Sequence, residues 1–139
     1  MGPVVLEAGT SFRNNITAGK HRLVADEPVE AGGNDEGPTP YDLISAGLGA
    51  CTSMTMRVVA KRENIPLEGA EVHITNDRMY AKDCADCTSA NGYIHKFEVR
   101  IKLIGKLTET QRERLLSVAK RCPVAKTLTS EIRIEESLI

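Results

Sequence analysis

The sequence predicts an α+β fold, and three observations carry that prediction. Short strand-like runs crowd the N-terminus. One long apolar segment follows between residues 40 and 63. Two alternating segments, 70–79 and 93–104, then face each other across a polar turn. Strands and helices that come in separate groups, with few strand–helix–strand units, point away from a doubly wound sheet.

Val4–Glu7, Ser11–Thr17 and Arg22–Asp26 read as three short strands. Ala18-Gly19-Lys20 makes a tight connection in which Gly19 can take positive φ. From Glu27 to Pro40 the chain reads as a loop, because Pro28, Gly32, Gly33, Gly37, Pro38 and Pro40 exclude regular structure. Thr39 then supplies an N-cap, Pro40 suits the first helical position, and Asp42 completes a capping box. A helix is expected from Pro40 to about Glu63, where Pro66 follows as a stop. Leu43 to Met56 is uncharged and apolar or small on every face, which predicts a helix buried on all sides. Gly47 and Gly49 each cost about 1 kcal/mol of helix propensity, and the expected compensation is close approach of another backbone. The uncharged stretch is shorter than the roughly 20 residues a membrane span needs.

Ala70–Met79 puts Val72, Ile74 and Asn76 on one face. Tyr93–Ile104 does the same with Tyr93, His95, Phe97, Val99, Ile101 and Leu103, so the two predict a long hairpin. Thr108 and Gln111 form a second capping box. The helix they start carries Leu115, Val118, Ala119 and Cys122 on one face. Pro123 opens a short third helix to Thr129, capped by Cys122, and Glu131–Glu135 reads as a final strand. The expected order is βββ-α-ββ-αα-β in a single domain spanning 1–139. One chain of this length cannot surround an all-apolar helix while covering a second helix and two sheets, so an obligate homodimer sharing the first helix is expected.

The hydrophobic fraction of 41% is sufficient for one core. Eighteen Lys+Arg against 19 Asp+Glu lack the basic footprint of a nucleic-acid binder. Aromatic residues at 4%, with no Trp, argue against a base-stacking platform. The N-terminus shows no basic region followed by an apolar run. The expectation is a cytoplasmic protein with neither nucleic acid nor membrane as a partner.

Four cysteines carry the chemistry. Cys51, three turns into the apolar helix, reads either as a buried core thiol or as a reactive one. Cys122 precedes Pro123, where backbone N–H groups and the positive end of a helix favour a thiolate. On position alone Cys122 is the more thiolate-like. Cys84 and Cys87 form a CxxC pair that allows a disulfide, half of a metal site completed by a histidine such as His73 or His95, or a solvated turn. Arg13 reads either as a solvated side chain or as a guanidinium that stabilises a thiolate.

Taken together, Ala31-Gly32-Gly33, Gly37-Pro38-Thr39-Pro40-Tyr41-Asp42-Leu43 and Ala46-Gly47-Leu48-Gly49-Ala50-Cys51 resemble the OsmC/Ohr family, named for osmotically inducible protein C and organic hydroperoxide resistance. Cys122-Pro123-Val124 is the second signature, and the resemblance covers nearly the whole chain. It implies an intertwined homodimer, with long central helices between antiparallel sheets and active sites at the subunit interface. It also implies a thiol peroxidase that reduces organic hydroperoxides and hydrogen peroxide, needs no cofactor, and is restored by an external dithiol. Cys51 matches the family's peroxidatic cysteine and Cys122 its resolving cysteine, which reverses the order suggested by position. Arg13, with Arg22 as second choice, matches the arginine beside the peroxidatic sulfur. Relatives specialised for organic hydroperoxides pair that arginine with a glutamate ten residues before the cysteine, and here that position is Tyr41. Cys84 and Cys87 lie outside the family signature and suggest a divergent subgroup. Two other readings remain: a non-enzymatic redox-sensing or small-ligand-binding protein of the same fold, and a metal-binding protein using Cys84 and Cys87.

Overall fold

A computed structural model describes residues 2–139. Two compact units divide the chain, Met1–Ile44 and Ser45–Ile139. In the first, β1 (Val4–Ala8), β2 (Asn14–Ala18) and β3 (His21–Ala25) form an antiparallel meander in the order β1-β2-β3. Gly19 turns the chain between β2 and β3 at φ 61°, as its place in the sequence predicts. β2 begins at Asn14 rather than at Ser11. The Arg13 N–H donates to the Ser11 hydroxyl at 3.3 Å, and the Asn14 side chain donates to the Phe12 carbonyl at 3.0 Å. Such local bonds compete with a ladder and delay the strand.

The loop after β3 contains one short 3-10 turn, Val29–Ala31, where no regular structure was expected. Its organiser is Asp26, a buried carboxylate the sequence reading passed over. Asp26 accepts backbone N–H groups from Glu27 at 2.8 Å, Asn34 at 3.2 Å and Glu36 at 3.1 Å. Three donors replace the water that burial removes. The loop folds so tightly onto the end of β3 that a Cβ on Gly33 would sit 1.9 Å from the Glu27 carbonyl oxygen. One on Gly37 would sit 2.5 Å from that of Val24. Only glycine fits at either place.

α1 runs Pro40–Arg62. Its capping box forms as predicted: the Asp42 N–H donates to the Thr39 hydroxyl at 3.2 Å, and the Thr39 N–H donates to the Asp42 carboxylate at 2.9 Å. By length and composition alone α1 could cross a membrane. The expectation that it is buried on every side does not hold within this chain. Leu48, Thr52, Met56, Val59 and Ala60 form one buried stripe at helical spacing, while Met54 and Val58 are 67% and 61% exposed. A single layer of hairpin and helix covers only one side of a cylinder. The two helical glycines also differ from expectation. A Cβ on Gly49 would meet the Ile74 side chain at 3.2 Å rather than a backbone, and Gly47 faces open space.

β4 (Gly69–Tyr80) and β5 (Tyr93–Ile104) form the predicted antiparallel hairpin. The register sets Val72 opposite Ile101 and Ile74 opposite Val99, so the two apolar faces coincide. α2 (Glu109–Ala119) starts at the Thr108–Gln111 capping box. The core of this unit joins Met56 and Ala60 of α1 to Leu115 and Ala119 of α2 through Leu67, with Val72, Ile101 and Leu103 packed beneath. α3 covers Pro123–Leu128. The predicted strand Glu131–Glu135 is not formed. That segment has no ladder partner among the described residues, and Ile132 and Ile134 are 53% and 78% exposed. A strand exists only through the hydrogen bonds of a neighbour.

Candidate functional site

The geometry around the cysteines follows from how α2 lies against α1. Glu63, just past the end of α1, takes Arg114 of α2 in a forked pair, with N···O distances of 2.9, 3.0 and 3.1 Å. That pairing holds the Glu63 carboxyl below its ordinary range and the Arg114 guanidinium above its own. Met56 and Ala60 meet Leu115 and Ala119 in the core. The two helices therefore run antiparallel, and the third residue beyond the end of α2 arrives beside the middle of α1. That residue is Cys122, and it is completely buried.

The Cys122 sulfur has two polar neighbours. The Ala125 N–H in the first turn of α3 donates to it at 3.2 Å, and the Thr52 hydroxyl lies 3.7 Å away. Thr52 is the residue after Cys51, so folding carries the second cysteine signature to the helical turn that holds the first. Cys51 is half-buried and its thiol is free, as is that of Cys122. Position in the helix favours a buried core thiol for Cys51, yet Cys51 is less enclosed than Cys122. A groove of about 360 Å³ between α1 and β4 is lined by Gly49, Ala50 and Ser53 of α1 and by Val72 and Ile74 of β4. Along α1, Leu48 is buried, whereas Met54 and Val58 point to the surface.

Arg13 belongs to the first unit and Cys51 to the second. Within its own unit Arg13 is half-exposed and already has a carboxylate. Its Nη1 donates to Glu36 at 3.2 Å, and its Nε and Nη2 donate to Asn15 at 3.3 Å. Sequence reasoning looked for that carboxylate at position 41 and missed Glu36. The signal lay in Asp26, which accepts the Glu36 N–H and so turns the loop toward Arg13. Burial tends to raise the Asp26 pKa, but the N–H donors of Glu27, Glu36 and Asn34 and the nearby Arg13 charge together lower it. Arg22, the second choice, spends its guanidinium on the carbonyls of Gly19 and His21 at the β2–β3 turn. Cys84 and Cys87 are joined in a disulfide. With Asp86 they form a group of metal-ligand type whose ligand atoms lie within 4.8 Å of one another, and no histidine belongs to it.

Comparison with known proteins places this arrangement. The sequence model of the family described as OsmC-like protein matches residues 32–137. No curated protein matches the chain in sequence. Among solved structures, an osmotic stress induced and detoxification response protein from Psychrobacter arcticus superposes with a TM-score of 0.73 at 19% identity, covering 91% of this chain and 88% of its own. An organic hydroperoxide resistance protein OsmC from Legionella pneumophila gives 0.65 at 22% identity, over 93% and 90% of the two chains. The organic hydroperoxide resistance protein OhrB of Bacillus subtilis gives 0.64 at 21%, over 91% and 89%. At these identities the structures speak for the fold, and the family match spans well over half of the sequence. The antiparallel sheets and the long helix are those of an OsmC-like fold, and the chain belongs to that family.

Proposed function

We propose that the protein is a thiol-dependent peroxidase that reduces organic hydroperoxides, and hydrogen peroxide as a smaller substrate, through Cys51 and Cys122. The observation that supports this reading is the approach of the Cys122 sulfur to Thr52, the residue next to the half-buried Cys51. The resistance to organic hydroperoxides named for the Legionella and Bacillus structures is consistent with it.

In the first step the Cys51 thiolate attacks one peroxide oxygen. The S–O bond forms as the O–O bond breaks, and the leaving alkoxide takes a proton to become an alcohol. Cys51 is left as a sulfenic acid. The Cys122 sulfur then attacks the Cys51 sulfur and expels water, giving a disulfide. An external dithiol reduces that disulfide by exchange and is itself oxidised. The family resemblance assigns Arg13 the role of the cation that binds the peroxide oxygens. Glu36 stands in for the family glutamate by holding the guanidinium in one orientation.

The working form in this proposal is a homodimer, and the chain acts as a single domain. The family match crosses the boundary between the two units, and α1 is one continuous helix across it. The exposed Met54 and Val58 on α1, and the unpaired apolar segment at Ile132 and Ile134, are surfaces that a second copy would cover. A dithiol-dependent cycle places the protein in the cytoplasm, where reductants keep thiols available. Nucleic acid and membrane play no part in this reading.

The deciding measurement is peroxide consumption by purified protein with a dithiol reductant, for cumene hydroperoxide and hydrogen peroxide. Turnover that needs both Cys51 and the reductant supports a peroxidase. Stoichiometric oxidation without turnover would favour the redox-sensing reading instead.

A further inference from the structure

The β4–β5 hairpin carries more chain at its tip than a turn requires. Hairpin connections typically need about two to five residues, yet the connection here spans residues 81–92. The surplus holds Cys84 and Cys87, bonded to each other and half-buried, with Asp86 Oδ1 3.5 Å from the Cys84 sulfur.

The disulfide has little to do for the fold. It closes a loop only three residues apart in sequence, and the stabilisation from a cross-link shrinks with the loop it closes. The strand ends are secured by other means. The rings of Tyr80 and Tyr93 stack with centroids 4.7 Å apart, Arg78 lies 4.8 Å over Tyr93, and Lys82 lies 5.3 Å over Tyr80. The Ala81 N–H donates to the Gly92 carbonyl at 2.8 Å. The tip can therefore exchange its sulfur bonds without unravelling the hairpin.

The pair also lies apart from the site on α1. Ile74 packs on Gly49 of α1, and the tip begins six residues further along β4, at Tyr80, roughly 20 Å away at 3.3 Å per residue. It is out of reach of Cys51 and Cys122 in the same chain.

We propose that Cys84 and Cys87 form a second redox centre, an independent thiol–disulfide exchange site whose substrates are external dithiols and disulfides. A thiolate of the incoming dithiol attacks one sulfur of the pair. The Cys84–Cys87 bond breaks as a mixed disulfide forms, and the displaced cysteine leaves as a thiolate that takes up a proton. The second thiol of the dithiol then attacks the mixed disulfide. Two reduced cysteines and one oxidised dithiol result, a two-electron transfer. In the reduced state the Asp86 carboxylate is placed to accept the S–H of Cys84.

The test is site-resolved thiol labelling of the full-length wild-type protein. Samples are held in graded ratios of reduced to oxidised dithiothreitol, quenched with a maleimide, and mapped by peptide mass spectrometry alongside circular dichroism. The expected result is no label on Cys84 or Cys87 before reduction, then joint labelling of both over one range of ratios with the dichroism unchanged. Oxidised glutathione added before the quench should restore protection from the label. Each of three results would overturn the proposal: both cysteines labelled before any reductant is added, zinc retained on the two thiols, or labelling only after unfolding in denaturant. Because Cys51 and Cys122 are mapped separately, the outcome is independent of whether they turn over peroxide.

Discussion

The Thr52 hydroxyl lies 3.7 Å from the Cys122 sulfur, and it also donates to the Leu48 carbonyl one turn back at 2.8 Å. A hydroxyl has one proton, and the shorter bond takes it. Its lone pairs are left facing Cys122, so the Cys122 thiol has an acceptor for its own S–H while its sulfur accepts the Ala125 N–H. Thr52 thus sits as a spacer between the two cysteine signatures. Thr52→Val keeps the shape and removes the acceptor. It is expected to cost about 1 kcal/mol in urea unfolding, the usual net worth of one such bond. It should also slow Cys51–Cys122 disulfide formation relative to the first oxidation, read by stopped-flow and mass spectrometry.

The two cysteines have separate tasks, so their variants should fail differently. Cys51→Ser is expected to abolish peroxide reduction. Cys122→Ser is expected to consume about one equivalent and then stall or over-oxidise at Cys51, because nothing condenses with the sulfenic acid. Mass spectrometry after a single peroxide addition distinguishes the two. Loss of the first oxidation in Cys122→Ser would mean that the roles are exchanged.

Arg13 and Glu36 form a half-exposed pair, and such pairs add little to stability. Arg13→Ala should leave the unfolding midpoint nearly unchanged and lower the second-order rate with an organic hydroperoxide by about ten-fold, equivalent to roughly 1.4 kcal/mol of transition-state stabilisation. Glu36→Gln should lower it in the same direction but less, since the charge of Arg13 remains. Tyr41→Glu offers a second carboxylate and is expected to raise the rate. Stopped-flow oxidation of all three variants is the measurement. Slower reaction in Tyr41→Glu with no change in Arg13→Ala would remove Arg13 from the site.

Acid should loosen the first unit through Asp26. Its pKa is lower in the folded protein than the ordinary value of about 3.9. The bound proton is therefore favoured in the unfolded chain. The stabilisation is fully present above the unfolded value and is lost as pH falls through the lower folded one. Denaturation followed from pH 6 to pH 2 should show wild type losing stability below about pH 4. Asp26→Asn should start less stable and respond less to acid across that range, because its amide cannot titrate.

The dimer is tested on α1. Sedimentation of wild type at micromolar concentration is expected to show two chains. Met54→Asp with Val58→Asp, which puts charge on the exposed apolar face, should shift the species to one chain and reduce peroxide turnover. A stable wild-type monomer would sink this part of the proposal.

The sequence by itself determined the elements whose causes are local. Thr39 with Asp42, Thr108 with Gln111, and Cys122 before Pro123 mark three helix starts within a few residues, because a cap is made by neighbours in the chain. The β4–β5 hairpin was legible from alternation, since one buried face fixes both pattern and register. The cysteine signatures were equally readable as motifs. Tertiary structure decided what depends on partners far away. It showed that α1 is covered on one side only, because burial depends on which layers arrive and not on the helix's own composition. It left Glu131–Glu135 without a ladder, because a strand needs a neighbour that its sequence does not name. It gave Arg13 a carboxylate partner in Glu36, because Asp26 bends a glycine-rich loop that no periodicity describes. It joined Cys84 to Cys87 where the spacing allowed three states. And it brought Cys122 to Thr52 through the antiparallel packing of α2 on α1, a contact set by complementary apolar stripes whose meeting only the folded chain reveals.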